Sequence, residues 1–193
     1  MSAPTQLVPL IYASPVELCC DYVEAQQCIS LAGNNKGSKY NYTTKTFEIQ
    51  NTIVLALNDK RYQLFEYHFH VPGYHQLCGT RYAAELHYSG FELAEDEEPV
   101  KLPNNLFPGN RNVVGLARVI EDGGDRHNLR EISVPLPKQF YVYNSTYLPP
   151  NYNPVVWIVG SAPLKANVKQ LAKVALPSPP LEPLNGRIVL YSK

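Results

Sequence analysis

Two runs near the middle of the chain, 61–71 (RYQLFEYHFHV) and 80–90 (TRYAAELHYSG), change chemistry with a period of two. Successive side chains of a β-strand point to opposite faces, so this period predicts strands with two unlike faces. In the first run Glu66, His68 and His70 share one face, and Phe65, Tyr67 and Phe69 share the other. In the second, Ala83, Glu85, His87 and Ser89 share a face opposite Tyr82, Leu86 and Tyr88. The aromatic faces suit a core, while the other faces gather histidines and carboxylates. The centre of the chain is thereby committed to a sheet.

Further strand signals occupy 47–57 (FEIQNTIVLAL), 112–120 (NVVGLARVI), the apolar run Val155–Val159 and a closing segment Arg187–Tyr191. Seventeen prolines disfavour long helices, and fourteen tyrosines favour pleated, half-buried surfaces. Only 165–176 (KANVKQLAKVAL) reads as helix, with Val168, Leu171, Val174 and Ala175 at helical spacing and the proline cluster 177–183 ending it. Residues 31–46 read as a polar loop or hairpin region. Residues 94–108, with the run Glu95–Glu98, read as a solvated loop. Neither a repeat nor a linker interrupts the 193 residues, so one domain over 1–193 is expected. The fold class is mainly β (α+β): a central twisted, largely antiparallel sheet with few short helices.

Charge excludes the simplest binding functions. Lys+Arg and Asp+Glu number 17 each, so nothing in the balance calls for nucleic acid or an anionic membrane surface. No run of about 18 apolar residues is present, so no membrane-spanning helix is expected. The first twenty residues carry no Lys or Arg and include Pro4, Pro9 and Pro15, a poor secretory signal. Cys19, Cys20, Cys28 and Cys78 do not read as a disulfide framework. Free thiols in the cytoplasm or another reducing compartment are the expectation.

Four of the five histidines, His68, His70, His75 and His87, fall within twenty residues. If the two strands pair antiparallel, three imidazoles converge with a carboxylate from each strand behind them. Three neutral imidazoles that leave a fourth position open are what a catalytic zinc requires. A carboxylate accepting the far ring N–H would fix each ligand's tautomer.

These residues resemble a known signature. Tyr62–His70 (YQLFEYHFH) followed by Tyr82–His87 (YAAELH) is similar to the signature of the α-class carbonic anhydrases. Ser14-Pro15-Val16-Glu17-Leu18, Pro149-Pro150 with Val155–Val159, and Pro183–Arg187 (PLNGR) resemble further segments of that family in the same order. The resemblance implies a Zn2+ cofactor held by His68, His70 and His87, with Glu85 as a supporting carboxylate. It puts Glu66 where a glutamine usually bonds the first ligand. Val113, Val155 and Trp157 match positions lining an apolar carbon dioxide pocket, and His75 matches a buried structural histidine. The implied reaction is reversible hydration of carbon dioxide to bicarbonate, a lyase activity.

The chain also departs from the pattern. Family members orient the nucleophile with a threonine hydroxyl that a buried glutamate holds; Tyr74 stands at the glutamate position and Tyr147 at the threonine position, with Thr146 beside it. A phenol both donates and accepts, whereas a carboxylate only accepts, so Tyr74 cannot impose the same hydrogen-bond direction. Lys45 stands where a proton-shuttling histidine is usual, and an ammonium exchanges protons poorly at neutral pH. Two readings stay open. One is an enzyme of reduced turnover; the other is a zinc-retaining, catalytically weak domain serving protein partners in a larger assembly, such as a virus particle.

Overall fold

The computed structural model describes residues 16–18, 22–35, 37–101, 111–146 and 153–193. Thirteen strands and one helical turn are formed among them. The first half holds β1 (Glu17–Leu18), β2 (Val23–Glu24), β3 (Ile29–Ala32), β4 (Lys39–Asn41), β5 (Thr46–Leu57), β6 (Lys60–His70), β7 (Gln76–Leu77), β8 (Thr80–Arg81) and β9 (Ala84–Glu92). β10 (Val113–Asp122), β11 (Phe140–Thr146), β12 (Pro154–Ala166), α1 (Val168–Leu171) and β13 (Val189–Ser192) complete it.

Ten strands make one sheet in the order β2-β13-β11-β12-β10-β9-β6-β5-β3, with β4 on β5. Only β10–β12 and β13–β2 run parallel within it. A separate small sheet, β1-β7-β8, carries the segment after β6 back over one face. The large, mainly antiparallel sheet and the near absence of helix agree with the alternation and the abundance of proline.

A core cluster covers each face. On one side Phe47, Leu55, Tyr67, Phe69, Leu86 and Tyr88 pack under the segment 129–136 and α1. Hydroxyls pin that segment down: Tyr67 donates to the Leu129 carbonyl (2.6 Å) and Tyr88 to the Ile132 carbonyl (2.9 Å). On the other side Val113, Ala117, Tyr143, Val155, Trp157 and Val159 pack with Leu18, Tyr74 and Leu77. The histidine face belongs to this second side, because His87 pairs with Ala117 across β9–β10.

Several local expectations need correction. Phe65 does not share the core face with Tyr67 and Phe69. The register slips between Leu64 and Glu66, where β6 carries one more residue than β9. This bulge turns Tyr62 and Leu64 to the core, and Phe65 is left half-buried against Phe91 (ring centroids 6.3 Å). The helix expected over 165–176 shrinks to Val168–Leu171, because β12 runs through Ala166 and pairs Lys165 with Glu121. Its apolar spacing still serves the core: Leu171 and Ala175 are buried in the first cluster. The run 80–90 is two strands, β8 and β9, whereas the hairpin expected within 31–46 is present, β4 turning back into β5. The stretch from 139 holds β11.

Candidate metal centre

The antiparallel register of β6 and β9 puts His68 directly opposite His87 and His70 opposite Glu85. Three imidazoles therefore meet on one face. Their ring centroids lie 5.1 Å (His68–His70), 5.2 Å (His68–His87) and 4.7 Å (His70–His87) apart. One ring nitrogen from each falls within 4.8 Å of the others, close enough to hold a metal ion. Among the described residues a second group, His75, Glu85 and His87, is equally close-set. Its atoms are already bonded to one another. The Glu85 carboxylate accepts from His75 Nδ1 (2.6 Å), the His75 backbone N–H (2.7 Å) and His87 Nε2 (2.8 Å).

These bonds set the tautomers. Since Glu85 accepts at His87 Nε2, the lone pair of His87 is on Nδ1. The carbonyl of Pro177 accepts from His70 Nδ1 (3.0 Å), which leaves the lone pair of His70 on Nε2. That carbonyl is in place because Leu176 bridges β6, its N–H reaching the Phe69 carbonyl at 2.8 Å. His75, fully buried, passes the network on to the Tyr143 hydroxyl at 2.6 Å from Nε2. His68 is the exception. Its Nδ1 is buried without a hydrogen-bond partner among the described residues, with Glu66 Oε1 3.8 Å away.

Burial and mutual repulsion keep the three rings neutral. Burial, then the neighbouring His87 and His70, holds His68 well below the usual imidazole range. Burial and then His87 bring His70 down to about 3. Burial also lowers His87, against the opposing pull of Glu85. Burial by itself would raise Glu85, but its two bonded imidazoles, His75 foremost, hold it well below the carboxylate range. Glu66 moves the other way, up to about 7, through burial opposed by a Thr46 hydrogen bond, with its cross-strand neighbour Glu48 adding to the rise.

A pH dependence follows for the metal-free protein. Above the ordinary imidazole value of 6.5 neither folded nor unfolded rings are charged. Below it the unfolded rings take up protons that the folded ones refuse, so stability falls as pH falls. Each such ring contributes a slope of up to about 1.4 kcal/mol per pH unit, and for His70 the window extends down toward pH 3. Glu66, raised to about 7, takes up its proton first in the folded state and offsets one ring over this window. Urea unfolding at stepped pH is therefore expected to show a net loss between pH 6.5 and about 4 from the other two. A flat profile there would mean that the rings are solvated.

The other anticipated residues are distributed as follows. Val113, Val155 and Trp157 are 0%, 2% and 3% exposed, and β10–β12 pairing puts Val113 beside Val155. The Trp157 indole lies 4.8 Å from the His87 ring and 5.0 Å from His75. It fits only because residue 115, its partner on β10, is glycine: a Cβ there would come within 2.5 Å of the indole. Tyr74 is buried with its ring 4.8 Å from both His70 and His87. Thr146 ends β11, half-buried, opposite Pro154, and Tyr147 lies outside the described residues. Lys45 is exposed in the β4–β5 turn at φ +56°, its Nζ 3.5 Å from the Ala175 carbonyl. Cys28 and Cys78 are free, while Cys19 and Cys20 lie outside the described residues.

Sequence reasoning passes over Tyr143 and Pro177. Tyr143 carries a signal, since Tyr141, Tyr143 and Ser145 alternate as a strand face should. The Pro177 carbonyl carries none, because a backbone acceptor has no residue identity.

Known proteins resemble both the sequence and the fold. A carbonic anhydrase from Nostoc sp. is 25% identical over 175 residues, 84% of this chain and 63% of the relative. Another from Neisseria gonorrhoeae is 25% identical over 186 residues, covering 83% of this chain and 73% of the relative. No family model matches. Among solved structures, the α-carbonic anhydrase of Thermovibrio ammonificans, in complex with sulfanilamide, superposes with a TM-score of 0.71 at 20% identity over 93% of this chain and 86% of that one. The chain resembles carbonic anhydrases in sequence and has the fold of the α-class members. A carbonic anhydrase from Chlamydomonas reinhardtii in complex with acetazolamide gives a TM-score of 0.72 at 18% identity, covering 96% of this chain and 92% of that one. The chain spans about 63% of the length of the Nostoc protein that it matches. No helix among its described residues is long and apolar enough to cross a membrane.

Proposed function

We propose that the chain holds a zinc ion through His68, His70 and His87 and hydrates carbon dioxide reversibly to bicarbonate at a reduced rate. The observation that carries this reading is the convergence of three neutral imidazoles on one sheet face. An all-imidazole set of three suits zinc and leaves a fourth position for chemistry. When bound, the ion supplies Lewis acidity that lowers the pKa of a coordinated water, the chemistry for which carbonic anhydrases are known.

The chain's own residues supply the remainder. Glu85 holds the proton of His87 on Nε2, and the Pro177 carbonyl holds that of His70 on Nδ1, so both rings present lone pairs to the ion. Val113, Val155 and Trp157 provide a dry, apolar wall suited to an uncharged substrate. Tyr74 at the gate position is why the rate is reduced. It offers no obligate acceptor, and an orienting hydrogen bond of this kind is worth about 2 kcal/mol or more of transition-state stabilisation.

A second reading is a zinc-bearing, weakly active domain in a larger assembly. The burial of Tyr74 against His70 and His87, where a gate carboxylate is usual, favours it. Metal content and stopped-flow hydration assays on one preparation separate the two. One zinc per chain with measurable bicarbonate formation supports the enzyme. One zinc with no hydration above that of free zinc supports the assembly reading. Sulfanilamide, the inhibitor bound in the Thermovibrio structure, is expected to bind the zinc-loaded protein more weakly than it binds ordinary family members. Calorimetry showing no binding at all would argue against an open fourth position.

A further inference from the structure

The geometry points to Tyr74 as a positioning residue that clamps His70 and His87 into a pre-formed pair, leaving His68 as the loosely held third ligand. This rests on the metal reading above. Tyr74 is 7% exposed, and its ring packs at 4.8 Å on His70 (tilted) and 4.8 Å on His87 (edge-on), with Trp157 behind at 5.7 Å. One ring thus limits the rotation of two imidazoles at once.

Each of those imidazoles is also fixed from a second direction. His70 is bonded through Nδ1 to the Pro177 carbonyl, and His87 through Nε2 to Glu85. A hydrogen bond in the ring plane together with packing on the ring leaves little torsional freedom. Tyr74 is itself held on both sides: the Gly73 N–H donates to the Tyr82 carbonyl (2.9 Å) and the His75 N–H to Glu85 (2.7 Å).

His68 has the packing but not the hydrogen bond. Among the described residues its Nδ1 has no hydrogen-bond partner, and Glu66 at 3.8 Å is beyond bonding reach. Among the described residues, the aromatic rings packed on it are those of His70 and His87. The site is therefore a two-nitrogen claw fixed by hydrogen bonds and packing, with a third arm held by packing alone.

Zinc affinity of the full chain, measured by competition with a chelating dye, tests this. Tyr74→Leu is expected to weaken binding by about 10- to 100-fold, the usual effect of losing a residue that orients a ligand, while Tyr74→Phe stays within about threefold of wild type. Cobalt substitution should show the same order, with an altered visible spectrum in Tyr74→Leu alone. Tyr141→Leu is the control: it sits on the same core face but packs on Tyr22 and Tyr191, so it should lower stability and spare affinity. Unchanged affinity and spectrum in folded Tyr74→Leu would overturn the clamp. A wild type that binds no zinc would sink the metal reading instead.

A measurement on the metal-free wild type stands independently of both. Ring resonances of His70 and His87 are expected to be sharp, with that of His68 broadened by exchange on the microsecond–millisecond scale. Equal behaviour of all three rings overturns the clamp, whatever the variants do.

Discussion

His87→Ala is expected to leave the purified protein with almost no zinc, while His127→Ala retains one ion per chain. The first change removes one of three converging nitrogens from the candidate metal centre. It also removes a donor from Glu85, a carboxylate with no solvent exposure, and deletes a ring packed at 4.8 Å on both Tyr74 and Trp157. A cost of about 2–4 kcal/mol in the metal-free fold is expected from the lost hydrogen bond and the cavity together. His127, by contrast, is exposed and its described bonds are backbone bonds to Gln170. Elemental analysis of both variants decides the matter. Full zinc in folded His87→Ala would strike His87 from the ligand set.

Glu85→Ala is expected to be the most damaging single change near the site. Three buried donors, the His75 N–H, His75 Nδ1–H and His87 Nε2–H, lose their acceptor together. Removing one partner from a buried charged network costs about 3–5 kcal/mol, a large part of the stability of an ordinary domain. The tautomer of His87 would also be released, so affinity for zinc should fall by about 10- to 100-fold even where the fold survives. Glu85→Gln keeps an acceptor oxygen and should recover part of both losses. Urea unfolding and zinc titration on the pair check this. A Glu85→Ala variant with wild-type stability would mean that water reaches the network and substitutes for the carboxylate.

Much of this arrangement is legible in the amino-acid sequence. His68 and His70 on one face of a strand, and Glu85 and His87 on one face of another, follow from the period of two, which is a property of each segment alone. The core faces are readable for the same reason, and Tyr67, Phe69, Leu86 and Tyr88 are all buried together. Phe65 escapes that reading because a bulge changes the phase of the alternation, and nothing in the run FEYHFH marks where the extra residue falls. The helix comes out shorter than its spacing predicts because helical spacing and long-range pairing compete for Lys165 and Ala166. The ladder to Glu121 and Asp122 wins.

Local chemistry therefore determined which residues face the site. Tertiary structure decided how they are held. The pairing of His68 with His87, the Pro177 carbonyl on His70, the Tyr143 hydroxyl behind His75 and the closure of Tyr74 over two imidazoles join segments up to 107 residues apart. Such contacts depend on strand order and register. These are set by the whole sheet burying two cores at once, and neither a backbone acceptor nor a register is written in any single stretch of side chains.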